Sequence, residues 1–188
     1  VTRGQDVTTV LRSIESAHGR LDVLVNNAGT NVRSDFRHLS EADWEKIREL
    51  NIDGVVRLAR DGFELMRTSG NASLINIASI LGERGMRQLV GYSATKGAVI
   101  AFSKGLAVEY AAFGIRVNAL CPGFVETALT ARVLKMPAFA KALVDKTPMR
   151  RFGRADEIAA AAVFLASDDA SFITGSVLVV DGGMSAQL

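Results

Sequence analysis

"LDVLVNNAG", residues 21–29, decides the fold. An unbroken apolar run rich in β-branched residues ends in Asn-Asn-Ala-Gly, which reads as a buried strand followed by a turn. The same pattern returns in "SLINIAS" (73–79), "IRVNALCPG" (115–123) and "SVLVVDGG" (176–183). Strands that are apolar throughout, rather than alternating, belong in a parallel sheet covered on both faces.

Helical spacing fills the intervals. One helix is expected over Asp6–His18. A second opens at Ser40, with Asp43 completing a capping box. Its apolar positions Trp44, Ile47, Leu50, Val55, Leu58 and Ala59 carry it to about residue 67. A third runs from Tyr92 to Ala112, with Gly114 as its stop. A fourth covers 154–168, where Asp156 and Glu157 suit the positive N-terminal end. Strands alternating with helices give an α/β doubly wound fold in a single domain over 1–188. The segment 124–150, with Pro137 and Pro148, breaks this rhythm after a strand's carboxyl end. Ligands bind and lids form at such places, so it is expected to be a substrate lid; a surface helical excursion is the plain alternative.

Composition narrows the function. A net charge of +2 gives no electrostatic reason to expect nucleic acid or an anionic membrane as partner. One cysteine allows no intramolecular disulfide and suits a reducing compartment, so a cytoplasmic location is expected. No apolar run approaches the roughly 20 residues of a membrane span, and "VTRGQDVTTV" lacks the apolar centre of a signal peptide. His18 and His38 stand alone, so no metal site is expected. Cys121 reads as a small buried filler, Trp44 as helix core or subunit contact, and Arg150, Arg151 and Arg154 as a solvated basic run.

The chemistry gathers around "GYSATKGAVIAFSK" (91–104). Tyr92 and Lys96, at i and i+4, share a helix face. A phenol titrates near ~10, and a fixed positive charge beside it favours the phenolate. Such a tyrosine can exchange a proton with a substrate oxygen. Ser79 ends a strand, where side chains face the crevice of a parallel sheet. Small residues at Asn26-Asn27-Ala28-Gly29, Pro122-Gly123 and Asp181-Gly182-Gly183 permit a ligand to approach the backbone.

Together these motifs closely resemble the short-chain dehydrogenase/reductase family. "NNAG" (26–29), the Asn51 of "LNIDG", Ser79, "YSATK" (92–96), "PGFVET" (122–127) and the stretch from "FGRADEI" to "VLVVDGG" match in order along nearly the whole chain. The resemblance implies a Rossmann-like fold and an NAD- or NADP-dependent oxidoreductase that interconverts a secondary alcohol and a ketone. It makes Tyr92 the general acid/base, with Lys96 lowering its pKa and holding the nicotinamide ribose. Ser79 would position the substrate oxygen, and Asn51 would hold a water that joins Lys96 to solvent. Asn26, Ala28 and Gly29 would line the adenine-ribose side. Pro122, Gly123, Val125 and Thr127, with Tyr92 and Lys96, would meet the nicotinamide end. A homodimer or homotetramer built on helices 40–67 and 92–113 is implied, and a small ketone or alcohol as substrate. Members resembling 3-oxoacyl carrier-protein reductases and sugar-acid dehydrogenases both fit; Arg84 or Arg87 could meet an acidic substrate.

The family opens with a strand and a Thr-Gly-x-x-x-Gly-x-Gly turn for the pyrophosphate. That turn is not in this sequence. Relative to the family, two βα units are missing, on the order of 60 residues, so an N-terminally truncated copy is expected, with strand 21–27 as an exposed edge. The rival reading is a non-catalytic fragment or a scaffold or regulatory protein of the same fold. Against it stands the complete set Asn51, Ser79, Tyr92 and Lys96.

Overall fold

The computed structural model describes residues 1–187. Four parallel strands, β1 (Val23–Asn26), β2 (Ala72–Ile77), β3 (Ile115–Pro122) and β4 (Val177–Val180), form one sheet in that order. Asn26 pairs in register with Asn76, Asn76 with Ala119, and Pro122 with Val180. The two middle strands are buried almost end to end, as their unbroken apolar runs require. Successive side chains point to opposite faces. On one face Leu74 and Val117 pack with Ala59 of α3 (Gly54–Asp61), Met66 of α4 (Phe63–Ser69) and Ala107 of α5 (Val90–Tyr110). On the other, Ile75 and Leu120 meet Leu165 of α8 (Ala155–Ala166). Helix α1 (Gly4–His18) lies outside α3 and α4, with Val7 and Leu11 against Leu65. The parallel α/β expectation, Rossmann-like in its winding, holds.

Strands β1 and β4 are the edges, and β1 is the less covered. Its Leu24 packs toward the α5 side. Val23 and Val25 point the other way, where α8 does not reach, and remain 40% and 42% exposed.

The helix expected over 40–67 is three helices. Ser40 caps α2 (Glu41–Arg48), accepting the Asp43 N–H at 3.1 Å. The capping box is only half made. The Asp43 carboxylate takes the Ser40 hydroxyl proton at 2.8 Å instead of the Ser40 backbone N–H. Aspartate, one methylene shorter than glutamate, meets the nearer donor. A wide, π-type turn over Glu49–Asp53 then separates α2 from α3, and Gly62 separates α3 from α4.

Polar side chains from β3 anchor the return to β4. Asn118 donates to the Ile173 carbonyl (2.9 Å) and accepts the Ser176 N–H (3.0 Å). Arg116, 8% exposed, donates to the carbonyls of Leu165 (2.9 Å) and Ser167 (3.2 Å) at the C-terminal end of α8. A cation suits that end of a helix, although burial pushes the guanidinium pKa down. On the other face Asn26, Asn76 and Ser103 form a chain from β1 through β2 to α5, with links of 2.8 and 2.9 Å.

The segment 124–150 carries α6 (Ala131–Leu134) and α7 (Pro137–Asp145), the latter begun by proline, whose missing N–H costs nothing there. Its neck is closed by backbone bonds between Phe124 and Gly153 and between Glu126 and Gly153, both 2.9 Å. The Arg33 guanidinium lies 5.3 Å above the Phe139 ring and ties α7 to the loop after β1. Among the described residues no helix is long and apolar enough to cross a membrane.

Two outcomes are expected. Arg116→Met should cost on the order of 3 kcal/mol in urea unfolding, because buried carbonyls lose their only charged donor; a loss within experimental error would show that the α8 end is satisfied without it. Val25→Lys should reduce light scattering on concentration by charging a bare edge, with the melting temperature nearly unchanged.

Candidate active site

The carboxyl ends of β1, β2 and β3 bring Gly29, Ser79 and Pro122 to one end of the sheet, over the first turns of α5. Ser79 follows β2 in extended conformation. Its hydroxyl accepts the Leu81 N–H (3.1 Å) and its carbonyl accepts the Gly82 N–H (2.9 Å), which folds Ile80–Gly82 into one tight turn. That turn rests directly on α5. A Cβ at Gly82 would stand 2.8 Å from the Lys96 carbonyl carbon, where backbone cannot yield. Glycine at 82 thus sets how closely Ser79 approaches the helix that carries Tyr92 and Lys96.

Lys96 is 5% exposed. Its Nζ donates to the Ile77 carbonyl at 2.7 Å and lies 5.8 Å from the centre of the Tyr92 ring. Burial lowers its pKa from 10.5 to about 8. Tyr92 is half-buried beside Ile80, Leu81, Leu89 and Met184. Burial raises its pKa, and the Ser79 hydroxyl beside it pulls the other way. The expectation of a lowered phenol pKa is therefore reversed here: desolvation of the phenolate outweighs the Ser79 hydrogen bond.

Asn51 comes from the wide turn and is fully buried. Its Oδ1 accepts the Thr30 N–H (2.9 Å), and its Nδ2 donates to the Thr30 carbonyl (2.9 Å) and the Thr95 hydroxyl (3.0 Å). Both amide protons are committed to protein, so the side chain works as a clamp and keeps only an oxygen lone pair for a water. A Cβ at Gly29 would lie 3.4 Å from Asn51 Oδ1 and 3.5 Å from Lys96 Nζ. Gly29, Asn51 and Lys96 are thereby in one place.

The other expected residues divide. Ala28 and Gly29 are exposed, and Pro122 and Gly123 half-exposed, at the strand ends. Asn26 is turned inward: its Nδ2 reaches Asn76, and its Oδ1 is buried without a partner. Val125 is buried in the neck of the 124–150 segment, opposite Gly153, and Thr127 is exposed beside Thr130. Cys121 is the expected buried residue, but it also borders the site. Burial pushes its thiol up to about 11, and Lys96 opposes that rise. Arg84 bonds the Ser185 carbonyl, and Arg87 lies exposed near Asp35. Thr30, Thr95 and the Ile77 carbonyl were not anticipated; only the place of Thr95 inside "YSATK" could have drawn notice. Among the described residues no group of acidic, His or Cys side chains could hold a metal.

A family model described as enoyl-(acyl carrier protein) reductase matches residues 1–185. Relatives named as dehydrogenases and reductases align over almost the whole chain: a cyclopentanol dehydrogenase of Comamonas sp. is 39% identical over 99% of this chain and 74% of its own length. The chain belongs to the short-chain dehydrogenase/reductase family. A 3-oxoacyl-[acyl-carrier-protein] reductase of Thermotoga maritima is 36% identical over 98% of the chain and 74% of its own. The crystal structure of a gluconate 5-dehydrogenase from Burkholderia cenocepacia, in complex with NADP and tartrate, superposes with a TM-score of 0.96 at 35% identity. It covers all of this chain, which covers 73% of it. As a short-chain dehydrogenase/reductase the chain is an oxidoreductase, and the crevice above β1–β3 is its candidate active site.

The shifted groups make stability depend on pH. Between about pH 8 and 10.5 unfolded Lys96 holds a proton that folded Lys96 has lost, so stability rises with pH, by at most about 1.4 kcal/mol per unit. Between 9 and about 11 folded Cys121 keeps a proton that the unfolded thiol has lost, so stability falls. Urea midpoints should therefore rise from pH 8 to 9 and level off above it. Lys96→Met should abolish the rise; a rise that persists in this variant would assign it to another group.

Proposed function

We propose that this chain is an NAD- or NADP-dependent oxidoreductase that interconverts a secondary alcohol and a ketone, with Tyr92 as general acid/base. The observation that carries the proposal is the convergence of Ser79, Tyr92, Lys96 and Asn51 at one end of the sheet. Nicotinamide nucleotide fits the residues present. Lys96 has one protein acceptor and no carboxylate partner among the described residues, so its remaining N–H donors suit ribose hydroxyls. The bare backbone at Gly29 beside it leaves the space that a side chain would fill.

Nicotinamide, when bound, supplies or accepts the hydride. The chain's own residues do the rest. Ser79 hydrogen-bonds the substrate oxygen and holds it toward the Tyr92 hydroxyl. Tyr92, kept protonated by burial at neutral pH, donates its proton to a ketone oxygen in reduction and recovers one in oxidation. The Lys96 charge, where present, stabilises the phenolate left behind. Asn51 fixes the loop at Thr30 against α5. The segment 124–150 is a lid that shields this exchange from water.

The substrate is a small molecule; the names of the relatives span cyclic alcohols, sugar acids and acyl-carrier-protein thioesters. A homodimer or homotetramer would cover the exposed Val108 on α5, and the exposed Val163 on α8, Phe172 and Val179. One buried free cysteine suits the cytoplasm.

Tyr92→Phe should lower kcat by at least about 10²-fold while nucleotide binding, followed by quenching of Trp44 fluorescence, stays within a factor of about three. Turnover equal to the parent's would refute Tyr92 as acid/base.

A further inference from the structure

Thr95 is wholly buried on α5 between Tyr92 and Lys96. Its hydroxyl donates to the Tyr92 carbonyl at 2.8 Å. With that proton used, its lone pair faces Asn51 and accepts the amide proton at 3.0 Å. A threonine bonding back to the preceding turn of its own helix is ordinary. The second bond is not, because it leaves the helix. Asn51 holds both backbone groups of Thr30, and Thr30 follows Gly29, where a Cβ would stand 3.5 Å from Lys96 Nζ. The hydrogen bonds run from the Tyr92 carbonyl through Thr95 and Asn51 to Thr30, and so bring the loop at Gly29 beside Lys96 on the same helix as Tyr92.

We propose that Thr95 is a positioning residue for the Tyr92–Lys96 pair, its hydroxyl fastening the loop after β1 against the turn of α5 that carries both. The proposal rests on the oxidoreductase reading for its catalytic consequence, though not for its geometry. The loop at Gly29–Thr30 is one wall around the Lys96 ammonium group. Ile77 supplies the carbonyl on another side, and Gly82 packs on the Lys96 backbone. The titratable groups that face Lys96 are Tyr92 on its own helix and Cys121 on β3. None offers a negative charge near neutral pH, so the dryness of the enclosure governs Lys96. If Thr95 is what holds the wall, its loss admits water to the ammonium group.

The experiment titrates Lys96 in the ligand-free protein by NMR of lysine labelled at Cε. Thr95→Val keeps the shape and removes the hydroxyl; Thr95→Ser keeps the hydroxyl. The valine variant should raise the Lys96 pKa by about one unit or more toward its usual value, and the serine variant should restore it. Ser103→Ala, which breaks another buried hydroxyl contact on α5, controls for general loosening and should leave Lys96 in place. Where the valine variant does not fold, Thr95→Ala takes its part. In turnover, Thr95→Val should lower kcat about tenfold or more with KM little changed, and serine should rescue it. An unshifted Lys96 in Thr95→Val, or an equal shift in Ser103→Ala, overturns the proposal. Failure of the oxidoreductase reading itself registers separately, as full turnover by Tyr92→Phe, and does not touch the Lys96 titration.

Discussion

An ammonium group buried without a carboxylate is the constraint around which this molecule is organised. Transfer of a charge from water is costly, and the folded chain meets the cost partly by letting Lys96 become neutral more easily. What compensation it provides comes from backbone: the Ile77 carbonyl at the last residue of β2. That carbonyl stands where it does because β2 is gripped between β1 and β3 in fixed parallel register. A slip of one residue would reverse the faces of the strand and withdraw the acceptor. The sheet therefore serves the site through the position of one oxygen as much as through its core.

The two faces of the sheet divide the labour. The α5 face holds the chemistry and is packed by small residues and glycines that allow helix and turn to touch. The α8 face is held by long polar reach: Arg116 and Asn118 project from β3 to gather carbonyls from the last turn of α8 and from the chain that follows it. Such bonds are worth most where water is excluded, and at the Leu165 carbonyl Arg116 shares the task with the Ser73 hydroxyl, which donates at 2.9 Å. β3 supports the site on one side and closes the fold on the other.

The strands, most helices and the Tyr92–Lys96 pair were legible in the sequence because each depends on neighbours within a few residues. Ser40 as a cap and Gly114 as a stop were legible for the same reason. The capping box failed on the length of one side chain, a local fact that the residue pattern overlooked. The rest depended on distance in the chain. Nothing near Asn51 announces that Thr30 and Thr95 will occupy its amide. Nothing near Asn26 tells which face of an edge strand it takes until register with Asn76 is known. The direction of the Tyr92 shift was misjudged because charge proximity can be read from spacing, whereas burial cannot.

The wide turn at Glu49–Asp53 has a consequence for phase. Ile47, Asn51, Val55 and Ala59 are all buried, and each stands four residues from the next. On a regular helix a step of four overshoots a full turn by about 40°, so three such steps would carry Ala59 about 120° around the axis from Ile47. The extra width of the turn absorbs that surplus and keeps the four on one inward line. With a single residue removed there, Ala59 would stand eleven positions from Ile47, which a regular helix brings to within about 20° of three full turns. The wide turn thus acts as one residue inserted into an otherwise regular helix: the core residues on either side keep their line, and the inserted backbone carries Asn51. In this part of the chain residue count is as much a determinant of the site as residue type.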